Sequence, residues 1–269
     1  MSRAATKARR QSLFRWAVLG AVGLFLAYPL YALFEFSIRF PLTGRYSWDA
    51  WARLFGQGDS ARLGPLYVGL QNSLIIAVLT LTIMFVLLLP TMVWVRLRLP
   101  QLTRVVEFIV LLPLTLPAIV LVVGLVPVYR FIATRVLDTH SVWLAFAYVV
   151  LVLPFSYRAL DAGLSAIDVR TLTAAARSMG APWATVLLRV ILPNLRGAVA
   201  SAAFISIAVV LGEFTIARML ARDNLQTGVM LVNQAAPQVA AAVSLLTLLF
   251  GIALLVGLSY LTARRRKVS

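Results

Sequence analysis

Residues 174–193 read AAARSMGAPWATVLLRVILP and lie between two strongly apolar stretches. The first six of these residues favour a helix, and Gly180 supplies a break directly after them, because glycine often ends helices. Pro182 suits the first turn of a second helix, which begins at Trp183 and ends before Pro193. The segment is therefore predicted to form a helix, a sharp turn and a second helix.

The whole chain has the composition of an integral membrane protein. Of its 269 residues, 61% are hydrophobic and 13% are charged, whereas a soluble domain carries about a quarter charged residues. The net charge of +16 does not indicate a nucleic-acid partner, because the basic residues flank apolar runs and form no single face. The absence of cysteine excludes disulfide bonds and thiolate chemistry.

Six apolar segments are long enough to cross a bilayer, which needs about 20 helical residues. They are residues 16–36, 67–95, 105–129, 142–158, 197–217 and 239–263. The predicted fold is therefore an all-α membrane protein with six transmembrane helices. The expected organisation is a cytoplasmic segment 1–15, a transmembrane domain 16–263 that includes a cytoplasmic loop 161–197, and a basic cytoplasmic tail 264–269.

Lysine and arginine are divided unevenly between the two sides that six spans define. The side with both termini and residues 174–193 holds 17 of them, and the other side holds 8. Because basic residues are enriched in cytoplasmic segments, we expect both termini and residues 174–193 in the cytoplasm.

The sequence contains no pattern that is typical of an enzyme. The phosphate-binding motif G-x-x-x-x-G-K-[ST] is absent, and the only lysines are Lys7 and Lys267, so no nucleotide site is expected. His140 is the only histidine and has no second histidine or cysteine to share a metal ion. We therefore expect no catalytic residue, metal or cofactor in this chain.

Glu213, in the fifth predicted span, is the first candidate functional residue. An ionisable group in a span is costly and normally faces a partner or a water-filled path. It could attract a cation, belong to an outer gate or pair with an arginine of a partner protein. A structural or gating ion pair is the favoured interpretation. An ion-coupled secondary transporter that uses Glu213 is the alternative, which inverted repeats would favour.

Three other residues are candidates for a pathway or gate. Asn72 lies near the outer end of the second span, where its amide can form hydrogen bonds across helices. Pro113 and Pro117 interrupt the third span, and each removes a backbone donor. The freed carbonyls need partners from neighbouring helices or water. The third span is expected either to line a pathway or to bend for packing alone.

Trp48 and Trp51 alternate with polar residues in the longest outer loop. This pattern suits a short amphipathic helix at the membrane surface. A simple aromatic anchor and a contact for an extracytoplasmic binding protein are the alternatives.

Residues 174–193 resemble the EAA loop in the membrane-spanning subunits of binding-protein-dependent ABC importers. The pattern of that loop is E-A-A, three residues, Gly, nine residues and I-x-L-P. The positions that match are Ala175, Ala176, Gly180, Leu192 and Pro193. Val190 replaces the Ile, and Ala174 stands where the family usually has Glu.

This resemblance implies a type I ABC importer permease in the bacterial cytoplasmic membrane. It implies two ATP-binding subunits that carry ATP and Mg²⁺, an extracytoplasmic substrate-binding protein, and a second permease, with a heterodimer favoured. The residues expected to couple to the ATPase are Ala174, Ala175, Ala176, Arg177, Gly180, Ala181, Leu192 and Pro193.

Three further pieces, residues 96–121, 153–172 and 211–220, look most like permeases of the spermidine/putrescine type. The resemblance therefore favours a polyamine substrate, with ferric iron, thiamine and phosphonate as alternatives. The Gly-Glu-Phe sequence around Glu213 is also similar to permeases for anions and metal ions, which weakens the interpretation of Glu213 as a cation ligand.

Overall fold

The computed structural model describes residues 3–40, 44–57, 60–135 and 138–266, and the regular structure in these ranges is helical. The thirteen α-helices in these ranges are α1 (Arg3–Ile38), α2 (Asp49–Ala52), α3 (Ser60–Arg98), α4 (Thr103–Leu111), α5 (Ala118–Arg135), α6 (Leu144–Ser165), α7 (Val169–Ser178), α8 (Trp183–Thr185), α9 (Leu192–Asn194), α10 (Arg196–Gly212), α11 (Thr215–Met219), α12 (Leu225–Ala235) and α13 (Pro237–Arg266). Shorter helical turns are Arg53–Gln57, Pro100–Leu102, Leu112–Thr115, Ser141–Trp143 and Val186–Ile191. The predicted all-α class is confirmed.

Four helices within the described ranges are long and apolar enough to cross a membrane unbroken. These spans are Gln11–Ile38, Leu63–Arg98, Ser141–Ser165 and Pro237–Gly257. The other two candidates are helix pairs bent at a short break, residues 100–115 with 119–132 and residues 183–194 with 196–212, so the predicted number of six spans holds when each pair counts as one span. The third and fifth predicted spans are therefore not single continuous helices.

The third predicted span breaks at Pro113 and Pro117, the two prolines named in the sequence analysis. The helical turn Leu112–Thr115 contains Pro113, and Leu116 before Pro117 is extended, with φ −102° and ψ 128°. A residue before proline is pushed out of the helical region by the proline ring. As a result, the helices on the two sides of the break meet at an angle of 103°.

The fifth span breaks at Glu213. Helix α10 ends at Gly212, Glu213 is extended with φ −77° and ψ 127°, and α11 begins at Thr215. The expected helix 197–217 is therefore interrupted five residues before its predicted end. Hydropathy did not reveal this break, because the residues on both sides of it are mostly apolar.

The chain divides into two compact units. One comprises residues 1–63 and 229–250, and the other comprises residues 64–228 and 251–269. In the larger unit α6 packs closely against α10. A Cβ atom placed on Gly163 would lie 2.4 Å from the Cβ of Ala198, and the hydroxyl oxygens of Ser156 and Ser206 are 2.9 Å apart. Small residues let two membrane helices approach in this way.

In the smaller unit, the tryptophans of the outer loop pack against the end of α1. The indole N–H of Trp51 donates to the hydroxyl of Ser37 at 3.0 Å, and the ring centroids of Phe34 and Trp48 are 6.1 Å apart. The helix at this position, α2, is a single turn. Helix α2 runs directly into the helical turn Arg53–Gln57, so a short helical segment follows Trp48, with Trp48 exposed and Trp51 half-buried.

Candidate functional site

Helix α7 is fixed at its start by Asp168. Its carboxylate accepts hydrogen bonds from the Thr171 backbone amide at 3.1 Å and from the Thr171 hydroxyl at 2.7 Å, which is the usual N-cap arrangement. The Thr171 hydroxyl and amide together lower the pKa of Asp168 below its ordinary value, because they stabilise the charged form. The cap therefore stays ionised at neutral pH.

A sharp turn follows α7 at Gly180, where φ is +81°. The amide of Gly180 donates to the carbonyl of Arg177 at 3.0 Å, and the amide of Ala181 donates to that of Ala176 at 3.1 Å. These two bonds form a Schellman motif, in which glycine supplies the left-handed residue. The predicted break at Gly180 is confirmed.

The second helical segment is longer than the sequence analysis predicted. It runs through α8, the wide turn Val186–Ile191 and α9, so that Pro193 lies inside it. Proline is tolerated there because it occupies the first turn of α9, where no backbone donor is needed. The segment ends at Leu195 and meets α10 at an angle of 80°.

The eight predicted coupling residues differ in how they are exposed. Ala174, Ala175, Arg177, Gly180 and Pro193 are exposed, Ala181 and Leu192 are half-buried, and Ala176 is buried. The methyl group of Ala176 packs within this chain, with 3% exposed, and is therefore not available to a partner. Met179, which the sequence analysis did not single out, is 80% exposed at the tip of the turn.

Arg177 makes its contacts within the chain. Its Nη1 donates to the carbonyl of Ala181 at 2.9 Å, across the Gly180 turn. Its guanidinium carbon lies 5.5 Å from the ring centroid of Trp183, within the range of a cation–π contact. The side chain therefore braces the turn on which it lies.

The C-terminal end of α3 is tied to α6 by an ion pair that the sequence analysis missed. Arg96 donates to the Asp161 carboxylate at 2.6 Å, to the Asp161 carbonyl at 3.1 Å and to the Ser165 hydroxyl at 2.8 Å. Asp161 and Ser165 are four residues apart and share one face of α6. That spacing was the signal available in the sequence, but nothing local pointed to Arg96 as the partner.

At the break in the fifth span, the Glu213 carboxylate accepts three hydrogen bonds. The donors are the Tyr148 hydroxyl at 2.9 Å and the backbone amides of Ile216 at 2.8 Å and Ala217 at 3.3 Å. Its side chain thus caps the start of α11 and binds α6 at the same time. The residue is 6% exposed.

Asn224 connects this carboxylate to the next helix. Its side-chain amide donates to the Tyr148 hydroxyl at 3.0 Å and to the Glu213 carbonyl at 2.5 Å. Asn224 and Thr227 also exchange side-chain and backbone hydrogen bonds of 2.8 and 2.9 Å. This reciprocal pairing is a capping box at the start of α12.

Helix α3 also contributes residues to the hydrogen-bonded cluster around Glu213 and Asn224. Ser73 accepts a hydrogen bond from the Leu225 amide at 2.8 Å, and the Asn72 side chain donates to the Asp223 carbonyl at 3.2 Å. A Cβ atom on Gly69 would lie 2.3 Å from the Asn224 carbonyl oxygen. Asn72 was expected to bond across helices, and its partner lies in the loop between α11 and α12. We call Glu213, Tyr148, Asn224, Ser73 and Asn72 the outer network.

The outer network does not include every predicted pathway residue. Pro113 is half-buried and Pro117 is exposed, and both lie at the break between α4 and α5. Within the part of the chain that the structure describes, the ion pairs are Arg39–Glu35 and Arg96–Asp161, and neither involves Glu213. The described residues also contain no group of three metal-ligating side chains.

Comparison with known protein families supplies one match. Residues 92–267 match the family model described as "Binding-protein-dependent transport system inner membrane component". The matched segment contains α7, the Gly180 turn, α10 and the Glu213 break. No curated protein matches the chain.

Proposed function

The chain belongs to the family of binding-protein-dependent transport system inner membrane components, and we propose that it is the permease subunit of an importer for polyamines. It is a multi-pass transport subunit of an ABC importer, not an enzyme, and it forms a translocation pathway. Its partners by family are ATPase subunits and a substrate-binding protein. Membership of this family argues against the alternative function, an ion-coupled secondary transporter that uses Glu213.

The observation that carries the coupling part of this proposal is the exposed turn after α7. This turn presents Met179 at 80% exposure, next to the small exposed residues Ala174 and Ala175 on the last two turns of α7. Such a surface lets the groove of an ATPase subunit approach closely. Closure of two ATPase subunits on ATP would then draw two such turns together and open the outer side of the pathway.

The second permease in the assembly is proposed to be a related but distinct chain. Two permeases would form the pathway at their shared interface, with ATP and Mg²⁺ bound on the two ATPase subunits. We place the assembly in a bacterial cytoplasmic membrane with both termini inside, because the basic residues are concentrated on that side.

The polyamine proposal is supported by the resemblance of residues 96–121, 153–172 and 211–220. The Glu213 carboxylate already has three donors within the chain, so we assign it to the support of a gate and not to a ligand. Uptake of labelled spermidine, ferric iron, thiamine and phosphonate by cells that express the full importer would separate the candidate substrates.

The first test is co-purification of the tagged chain from its native membrane, followed by mass spectrometry of the bound proteins. We expect an ATPase subunit and a second permease in stoichiometric amounts. Recovery of this chain alone, stable and without an ATPase, would contradict the proposal.

A substitution at Gly180 tests the role of the turn itself. Gly180 has φ +81°, which costs an ordinary side chain about 1 kcal/mol. We expect Gly180→Asp to insert normally but to lose substrate-stimulated ATP hydrolysis, because it adds strain and a charge to the docking surface. Gly180→Asn is the matched control, since asparagine tolerates this conformation without the charge. Wild-type transport by Gly180→Asp would contradict the proposed role of the turn.

A further inference from the structure

Four side chains join the Gly180 turn to the cytoplasmic end of α3. The ring centroid of Trp183 lies 5.5 Å from the guanidinium carbon of Arg177 and 5.8 Å from that of Arg98. Trp94, one helical turn before Arg98, has its ring centroid 6.2 Å from Trp183 and 6.0 Å from the Arg98 guanidinium carbon. We call Trp94, Arg98, Arg177 and Trp183 the Trp183 cluster.

The chemistry of the Trp183 cluster favours a defined position for the turn. An indole is the strongest aromatic partner for a cation, and two guanidinium groups approach the same indole here. Arg177 comes from the last turn of α7 and Trp183 begins α8, so their contact spans the turn. The Arg177 bond to the Ala181 carbonyl fixes the same guanidinium from the other side.

Helix α3 is bonded to its neighbours at two points. Near its C-terminal end, Arg96, which lies between the cluster residues Trp94 and Arg98, binds Asp161 and Ser165 of α6. Ser73, in the first half of the helix, accepts a hydrogen bond from the amide at the start of α12. The helix between Ser73 and Trp94 is about 32 Å long at 1.5 Å per residue. A movement of the turn that also moves α3 would therefore reach the outer network.

We propose that Trp183 is a positioning residue that makes the Gly180 turn and α3 move together, so that ATPase docking on the turn is transmitted to the outer network. This inference rests on the coupling role proposed above. Arg98 receives the movement on α3, and Arg177 holds the turn to Trp183. The Trp183 ring itself need not touch the ATPase.

The test uses the complete importer in proteoliposomes and measures three quantities. They are the amount of ATPase subunit bound, the rate of ATP hydrolysis stimulated by the loaded binding protein, and the solute taken up per ATP. The variants are Trp183→Ala, Trp183→Phe and Arg98→Ala. The matched control is Leu188→Ala, which truncates another exposed side chain of the same helical segment, 58% exposed.

A spin label reports the position of the turn directly. This chain has no cysteine, so Ala184→Cys, at an exposed position just after the turn and outside the proposed docking surface, gives the chain a single labelling site. We expect Trp183→Ala to bind normal amounts of ATPase, to increase the mobility of this label and to lower uptake per ATP several-fold. Trp183→Phe should restore most of the wild-type label mobility and most of the uptake per ATP, because it retains an aromatic face for the guanidinium groups.

Arg98→Ala distinguishes a transmitted effect from a local one. It should resemble Trp183→Ala, and the double variant should be no worse than either single one, because the two residues act through one contact. Unchanged label mobility, additive losses in the double variant, or loss of bound ATPase on Trp183→Ala would each overturn the proposal. If Trp183→Ala does not reach the membrane, Arg98→Ala decides by the same measurements. Absence of ATPase from the wild-type complex would instead refute the proposed coupling function.

Discussion

A carboxylate is costly to bury in a membrane span, and at Glu213 three hydrogen-bond donors offset that cost. Two of the donors are backbone amides that the break in the span has freed. The third is the hydroxyl of Tyr148 on α6. The break and the acid therefore stabilise each other, because the open amides need an acceptor and the carboxylate needs donors.

Substitution of Glu213 separates its structural role from a role of its charge. A hydrogen bond to a charged group contributes about 1.5–3 kcal/mol, and Glu213→Ala removes three of them, so we expect it to lower the free energy of unfolding by at least about 3 kcal/mol. Glu213→Gln should lose about half as much, since its amide oxygen can still accept the Ile216 amide. Thermal unfolding of the detergent-solubilised protein measures both values.

Tyr148→Phe is the companion variant, because it removes one donor and leaves the charge in place. If Glu213→Gln abolishes uptake while its unfolding temperature stays near that of the wild type, the charge itself is used in transport. That result would restore the interpretation of Glu213 as a cation ligand.

Sequence alone could identify Glu213 as important, because an acid in an apolar span is conspicuous. It could not identify the partners. Tyr148 is 65 residues away and looks like an ordinary aromatic residue of a span, and Asn224 is 11 residues away in what was predicted to be an outer loop. Only the fold brings these side chains together.

At the scale of helices, two breaks decide the geometry of the chain, and the sequence predicted them unequally. The break at Pro113 and Pro117 was visible, because proline removes a donor and restricts the preceding residue. The break at Glu213 was not, because neither Gly212 nor Phe214 forbids a helix. The break there is stabilised by tertiary contacts from Tyr148 and Asn224, which local propensity does not contain.

The pairing of α6 with α10 gives a prediction at the same scale. A methyl group on Gly163 would meet the Ala198 Cβ at 2.4 Å, so we expect Gly163→Ala to destabilise the protein by about 1–3 kcal/mol through overpacking. Gly197→Ala on α10 is the control, because nothing lies within 4 Å of its Cβ position. Equal melting temperatures for the two variants would show that the helices can separate to admit a methyl group.

At the scale of the whole molecule, charge and hydropathy carried most of the information. The all-α class and the approximate spans needed only apolar run lengths. The 17-to-8 division of basic residues adds the prediction that residues 174–193 are cytoplasmic. The long contacts between spans, such as Arg96 with Asp161, depend on which helices are neighbours. Run lengths do not determine that.

The sidedness of the larger unit can be measured with single cysteines in this cysteine-free chain. Met179→Cys should react with a membrane-impermeant thiol reagent only in inside-out vesicles, because the positive-inside rule places the Gly180 turn in the cytoplasm. Thr139→Cys, in the exposed segment before α6, should react only in intact, right-side-out membranes. Reaction of both cysteines from one side would require a different number of crossings.

Because of the 80° bend between Trp183–Asn194 and α10, the two helical segments form an L-shaped lever that would rotate about the buried Leu195. The arm Trp183–Asn194 has twelve residues and is therefore about 18 Å long. If the elbow keeps its angle, a push of about 3 Å on the turn rotates α10 by about 10°, and over its length of about 25 Å that moves the Gly212 end by about 4 Å. A displacement of that size exceeds the diameter of a water molecule, so under the proposed coupling a push of about 3 Å on the turn would be enough to open or close a passage near the Gly212 end of α10.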